Sequence, residues 1–143
     1  MEIKIDGLEQ LIKMLNSLDA DVQKYVYQGR DDLAKLIQGQ AKLLAPVDEG
    51  QLRNSIELHH IEDTAVVGTN VEHAMYNEFG TGQFGEPKVP HTTKKYWRYK
   101  KDGRFYTTHG MEPRPFMRPA AKFGEKHVLE IFKKAFERGL KHG

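Results

Sequence analysis

From Val22 to Pro46 the sequence keeps one helical face apolar or small. Val22, Val26, Gly29, Leu33, Leu36, Ile37 and Leu44 recur at helical spacing for about six turns, until proline stops the run. A helix with one apolar stripe gains most of its stability from whatever covers that stripe, so the chain must supply a second layer. Several segments are candidates. Met1, Ile3 and Ile5 alternate with Glu2 and Lys4, as in a short half-buried strand. Asp6, three residues before Glu9, forms a capping box for a first amphipathic helix that carries Leu8, Leu11, Ile12, Leu15 and Leu18 and ends near Ser17. Asp19 or Asp21 caps the long helix.

Beyond Pro46 the period changes. Ile56, Leu58 and the run Ala65-Val66-Val67-Gly68 predict two strands joined near Glu62-Asp63. His73 to Phe79 reads as a short helix closed by a left-handed Gly80. From Thr81 to Pro115 there are glycines, four prolines and no helical period. Inside that stretch Asp102-Gly103 separates two ring-rich runs, a hairpin signal because both turn residues tolerate positive φ. In that register Tyr99 faces Tyr106, with Trp97 on the same side. Arg118-Pro119 opens a last helix whose buried stripe is expected at Val128, Leu129, Phe132, Ala135, Phe136 and Leu140. The predicted class is α+β: a small antiparallel sheet packed against a long helix and a C-terminal helix, with a long hairpin insertion. Residues 1–143 read as a single domain with a projecting loop over 81–115, since no linker or repeat divides them.

Composition narrows the function. With 38% hydrophobic and 29% charged residues the chain is far from a disordered one. It has no cysteine, which excludes disulfides, thiolate metal sites and a cysteine nucleophile. Acidic groups in the first six residues argue against a secretion signal, and no apolar run reaches the roughly 18 residues of a membrane span. A soluble protein made in the cytoplasm, with no membrane partner, is expected. Net charge is only +2, but residues 81–119 hold nine basic groups against three acidic ones, a net of +6. The remainder, thirteen against seventeen, stands at −4.

The residues that could do chemistry do not assemble into a catalyst. Seven histidines invite a metal, yet His59 and His60 are adjacent and point to opposite faces of a strand. No helical ligand spacing occurs, and His91 with His109, beside Glu86 or Glu112, is a weak set. Ser17 and Ser55 are the only serines, and neither sits in a nucleophile elbow. Glu72 and Glu78 fall on different faces of a short helix, where solvated charges are expected. Gly80-Thr81-Gly82 and Gly85 lack the lysine and the preceding strand of a phosphate loop. No enzyme activity and no cofactor are expected.

The loop offers binding instead. Lys94, Lys95, Arg98, Lys100, Lys101 and Arg104 are interleaved with Tyr96, Trp97, Tyr99, Phe105 and Tyr106. Cations for phosphates and rings for bases are what a single-stranded nucleic-acid surface needs. An isolated two-stranded hairpin is marginal, however, so its rings call first for a protein surface to pack on, in this chain or another. Protein docking is the first reading and a single-strand nucleic-acid-binding module the second.

Three segments resemble signatures of a known group, and in its order. They are Ala45-Pro46-Val47-Asp48-Glu49-Gly50-Gln51-Leu52-Arg53-Asn54-Ser55-Ile56, Tyr76-Asn77-Glu78-Phe79-Gly80-Thr81-Gly82 and Pro115-Phe116-Met117-Arg118-Pro119-Ala120. The chain is thereby identified as similar to the gene-product-ten-like head–tail joining proteins (neck, tail-completion or minor tail proteins) of lambda-like tailed bacteriophages. Glu49 stands where threonine is common in that group. The resemblance implies an α+β virion subunit that forms a ring, a hexamer by analogy, at the head–tail junction. Its partners would be other copies of itself, the adjacent connector and tail-tube proteins, and DNA in passing. It would occupy the host cytoplasm during assembly and the virion afterwards.

The same segments have physical readings. Pro46 stops the long helix, Asp48 can bond turn N–H groups, and Gly50 permits reversal into the next strand. Leu52 and Ile56 are expected in the core. Arg53 can pair with Glu78 inside the domain or across a subunit boundary. Phe116 would anchor the far end of the loop, and Arg118, a cation at a helix start, needs an acidic neighbour. Arg53, Glu78 and Arg118, with the five rings of the loop, are the candidate interface residues, and the six cations are the candidate DNA contacts.

Overall fold

The computed structural model describes residues 1–3, 20–47 and 50–142. The first amphipathic helix, its Asp6–Glu9 cap and Asp48 lie outside the described residues. The elements are β1 (Glu2–Ile3), α1 (Ala20–Leu44), α2 (Gln51–Ser55), β2 (Glu57–Ile61), β3 (Thr64–Gly68), α3 (Ala74–Phe79), a 3-10 turn (Gly82–Phe84), β4 (Trp97–Lys101), β5 (Arg104–Thr108) and α4 (Met117–His142). The class is α+β, as the pattern of periods predicts.

The long helix forms where its stripe demands. α1 rises about 37 Å and buries Val26, Gly29, Leu33 and Ile37. Its stripe continues through Ala34, Ala41 and, just past its end, Ala45, so Leu44 is 39% exposed instead of buried. Val22 and Leu36 are half-buried. Small residues sit on this face because α4 runs antiparallel against it at close range. A Cβ at Gly29 would stand 2.5 Å from the Phe132 ring, which only glycine permits without a shift.

The same closeness corrects the stripe expected on α4. Ala120, Gly124, Val128, Phe132, Ala135 and Gly139 face inward, buried or half-buried, at spacings of three and four residues. Leu129 is 86% exposed and Leu140 76%, because each lies one residue, about 100° of helix rotation, beyond that row. The sequence reading put the large residues inside where the packing chose small ones.

The sheet is antiparallel with order β1-β3-β2, so β3 is central and β2 forms an edge. Ala65, Val66 and Val67 are buried in succession, as a strand covered on both faces requires. The turn after β3's partner strand is tied down to α1 by polar groups. Arg30, only 7% exposed, donates to Asp31 Oδ1 and to the Asp63 carbonyl, and the Tyr27 hydroxyl donates to Asp63 Oδ1. Asp31 also meets His60 Nε2 at 2.7 Å.

Besides the 3-10 turn, one helix was not foreseen. Gly50, at φ 73°, does not turn the chain straight into a strand; it leads into the short helix α2, which sinks Leu52 into the core. Ile56 is then its extended C-cap, 1% exposed, and not a strand residue.

Candidate functional site

The candidate site is the 81–115 arm together with the residues that fix its two ends. Its root is α3, whose single inward face buries Ala74, Asn77 and Glu78. Gly80 closes this helix as expected, but at φ 77° and ψ 174° it lies outside the left-handed helical well, in a region open essentially to glycine alone.

Glu78 is fully buried, against the expectation of a solvated charge. Four N–H groups converge on its carboxylate. Phe116 N and Met117 N donate to Oε2 at 2.7 and 3.0 Å, and Arg118 N and Arg118 Nε donate to Oε1 at 2.8 and 3.0 Å. The reason is the start of α4. A helix begins with N–H groups that have no intrahelical acceptor. Here the first such bond is Ala120 N to the Phe116 carbonyl. Met117 and Arg118 need outside acceptors, and Pro119 has no N–H to satisfy. Glu78 serves both, and its charge suits the positive end of the helix dipole.

Arg118 extends the clamp. Its guanidinium also donates to the Glu78 carbonyl at 2.8 Å and to both oxygens of Glu86, at 2.7 and 3.1 Å. It lies over the Phe79 ring at 4.7 Å, within cation–π range. The cation at the helix start thus has two acidic neighbours. The Arg118 hydrogen bond holds the Glu86 carboxyl below the usual carboxylate range, outweighing partial desolvation.

Backbone bonds complete the root. Thr81 and Met111 exchange N–H···O bonds of 2.8 and 3.3 Å, Glu86 N donates to the Phe79 carbonyl, and Arg114 N donates to the Asn77 carbonyl. Phe116, 0% exposed, anchors the far end in the core. Arg53 does not join this cluster in the described chain; its Nε donates to the Lys42 carbonyl at 3.1 Å.

From this root the hairpin projects. β4 and β5 pair in the expected register, Tyr99 opposite Tyr106, across Asp102 (φ 53°) and Gly103 (φ 78°). Two positive φ values are what a type I′ turn requires. Trp97 forms the foot: its ring fills the space that a Cβ at Gly82 would enter at 2.7 Å. The pleat gives the hairpin two faces. On one, the Tyr99 and Tyr106 rings stack at 5.7 Å, and Tyr99 and Lys101 line a cleft of about 400 Å³ against Pro46, Leu52, His73 and Asn77. On the other, Arg98 and Lys100 lie 5.0 and 5.8 Å from the Phe105 ring.

Tyr96 and Phe105 are more than 60% exposed, Tyr99 and Tyr106 somewhat less, and Trp97 is half-buried. Lys94, Lys95, Arg98, Lys100, Lys101 and Arg104 are all exposed. The structure therefore separates the sequence-derived residues. Glu78 and Arg118 build the root, Trp97 is the foot of the hairpin, and the other four rings and the six cations are exposed. Sequence reasoning missed Glu86 as the second partner of Arg118. Among the described residues no group of three or more His, Cys, Asp or Glu could hold a metal ion, and no helix is long and apolar enough to cross a membrane.

Comparison with known proteins adds one finding. Over residues 9–80, half of the chain, the sequence matches the family described as "Bacteriophage HK97-gp10, putative tail-component". No curated protein and no solved structure matches. The matched span contains the Ala45–Ile56 segment and ends at Gly80, where the arm begins.

Proposed function

This chain belongs to the HK97-gp10-like family of bacteriophage tail components, and from that premise we propose that it is a ring-forming virion subunit joining the capsid connector to the tail tube. The family is one of tail components and not of enzymes, which accords with a mechanism of binding alone. Residues 1–143 act as one folding unit. Its helices and sheet supply the ring wall, and the arm docks on an adjacent ring or lines the channel. The observation that carries this reading is the arm itself: exposed rings and cations on a hairpin whose root is fixed by a buried carboxylate. A surface held out in that way is built to meet another molecule.

DNA passing such an arm would feel a weak, sequence-independent and salt-dependent attraction, since strong phosphate contacts would impede ejection. Electron microscopy with native mass measurement tests the proposal. Rings of several copies, alone or on isolated connectors, are expected. Particles assembled without the protein that still carry joined, infective tails would sink it.

A second reading, a single-strand nucleic-acid-binding module, draws on the outward face formed by Arg98, Lys100 and Phe105. Titration of Trp97 fluorescence with oligonucleotides decides it. Quenching at low salt would support that module, and an unchanged signal would remove it.

A further inference from the structure

The two hairpins of this chain are built alike and charged oppositely. Each has strands of five residues joined by a two-residue turn. The β2–β3 hairpin, residues 57–68, carries exposed Glu57 and Glu62 with Asp63 beside them and has no lysine or arginine. The arm hairpin carries Arg98, Lys100, Lys101 and Arg104 against Asp102 alone.

β2 is the outer strand of its sheet, and four of its five residues are exposed, with Ile61 at 54%. Ile61 and Thr64 close the turn as a bonded pair, so the alternation of an antiparallel ladder aims the N–H and C=O groups of Leu58 and His60 away from β3. No other strand pairs with them among the described residues. Edges of this kind are commonly guarded by lysine, proline or a bulge. β2 has no lysine or proline. β5 likewise has no second neighbouring strand among the described residues, and its Phe105 is 62% exposed.

We propose that the arm of one copy adds to the β2 edge of a second copy. The outer edge of β5 would bond the open main-chain groups of β2, as in strand addition. Arg98 and Lys100, on the same hairpin face as Phe105, would face Glu57 and Glu62, and Phe105 would cover Ile61. Charge complementarity selects a second copy as the occupant, because the acidic hairpin and the basic hairpin belong to the same chain but to separate sheets. In a ring every copy would then give one hairpin and receive one, a head-to-tail contact. The inference rests on the ring reading above.

Charge reversal with exchange rescue tests it in the full chain, by sedimentation and native mass spectrometry. Arg98→Glu with Lys100→Glu should weaken self-association roughly ten-fold or more, and so should Glu57→Lys with Glu62→Lys. Combining the four substitutions should restore most of the loss. All four positions are exposed, and far-UV circular dichroism verifies that each variant folds. Because the chain has no cysteine, Ile61→Cys with Phe105→Cys gives an independent readout: oxidation should link copies into ladders. Wild-type rings indifferent to every reversal would overturn the arm-to-edge contact and leave the ring intact. A wild type that stays monomeric at its highest soluble concentration would overturn it too, while a ring nucleated by a neighbouring protein would still stand.

Discussion

At the scale of single residues, Glu78 has the largest structural consequence. Its carboxylate accepts four hydrogen bonds and has no exposed surface. In Glu78→Gln one oxygen becomes an amide that confronts N–H donors with more donors. Bonds to a charged acceptor contribute more than neutral ones, so the loss should be about 2–4 kcal/mol. Urea unfolding measures it, and a change below about 0.5 kcal/mol would contradict the clamp. Glu86 titrates in a predictable direction. Its folded pKa is below its ordinary value of 4.5, so its contribution is complete above that value and is lost as pH falls through the lower one. An NMR titration should place the Glu86 midpoint under 4.5, and Arg118→Met should return it toward that value. Part of this cluster is legible in the sequence. Phe116 and Met117 offer no capping side chain, and Arg118 sits where a dipole repels it, so an acid from elsewhere had to come. Which acid was not legible, because Glu78 is 38 residues away from Phe116 and only the tertiary fold joins them.

Elements divide by how local their signals are. The Asp102-Gly103 hairpin was readable to its register because a two-residue turn dictates pairing from adjacent residues. α1 was readable from its period. The failures came where a partner surface decides. Leu129 and Leu140 point outward because α1 approaches closely enough to select Gly124, Ala135 and Gly139 instead, a choice invisible on α4 alone. α2 escaped notice since five residues carry too little period to be distinguished from a turn. The attachment of the hairpin belongs to this scale as well. Gly82→Val would expel the Trp97 ring from its seat. Trp97 emission should move to longer wavelength and amides of β4 and β5 should exchange faster. The stability of α1 and α4 should change little, because the hairpin belongs to a separate sheet. An unshifted emission would show that the foot is held by something else.

For the whole molecule, charge and family membership bear on assembly. The family match ends at Gly80, yet the clamp joins Glu78, inside the matched half, to Arg118, outside it. A chain cut after residue 80 would lose the partners of its buried carboxylate, and by that argument it should fail to fold cooperatively. Limited proteolysis and calorimetry of such a fragment would check this, and a sharp transition would refute it. The α+β class was legible from the whole sequence. A surface for assembly is not legible in that way, since a single chain's periodicity records its own core and leaves any neighbours unrecorded.

Thr81 and Met111 face each other as a bonded pair, so the excursion over 82–110 starts and finishes within about one strand spacing. Loop closure grows costlier only slowly with length. Beyond Glu86, which the Arg118 clamp holds, the body makes few demands on the rest of the excursion, so the hairpin from Trp97 to Thr108 is a cartridge that evolution or an engineer could lengthen, shorten or replace without repacking α1 on α4. Variation can thus fall on the arm while the part that folds is kept.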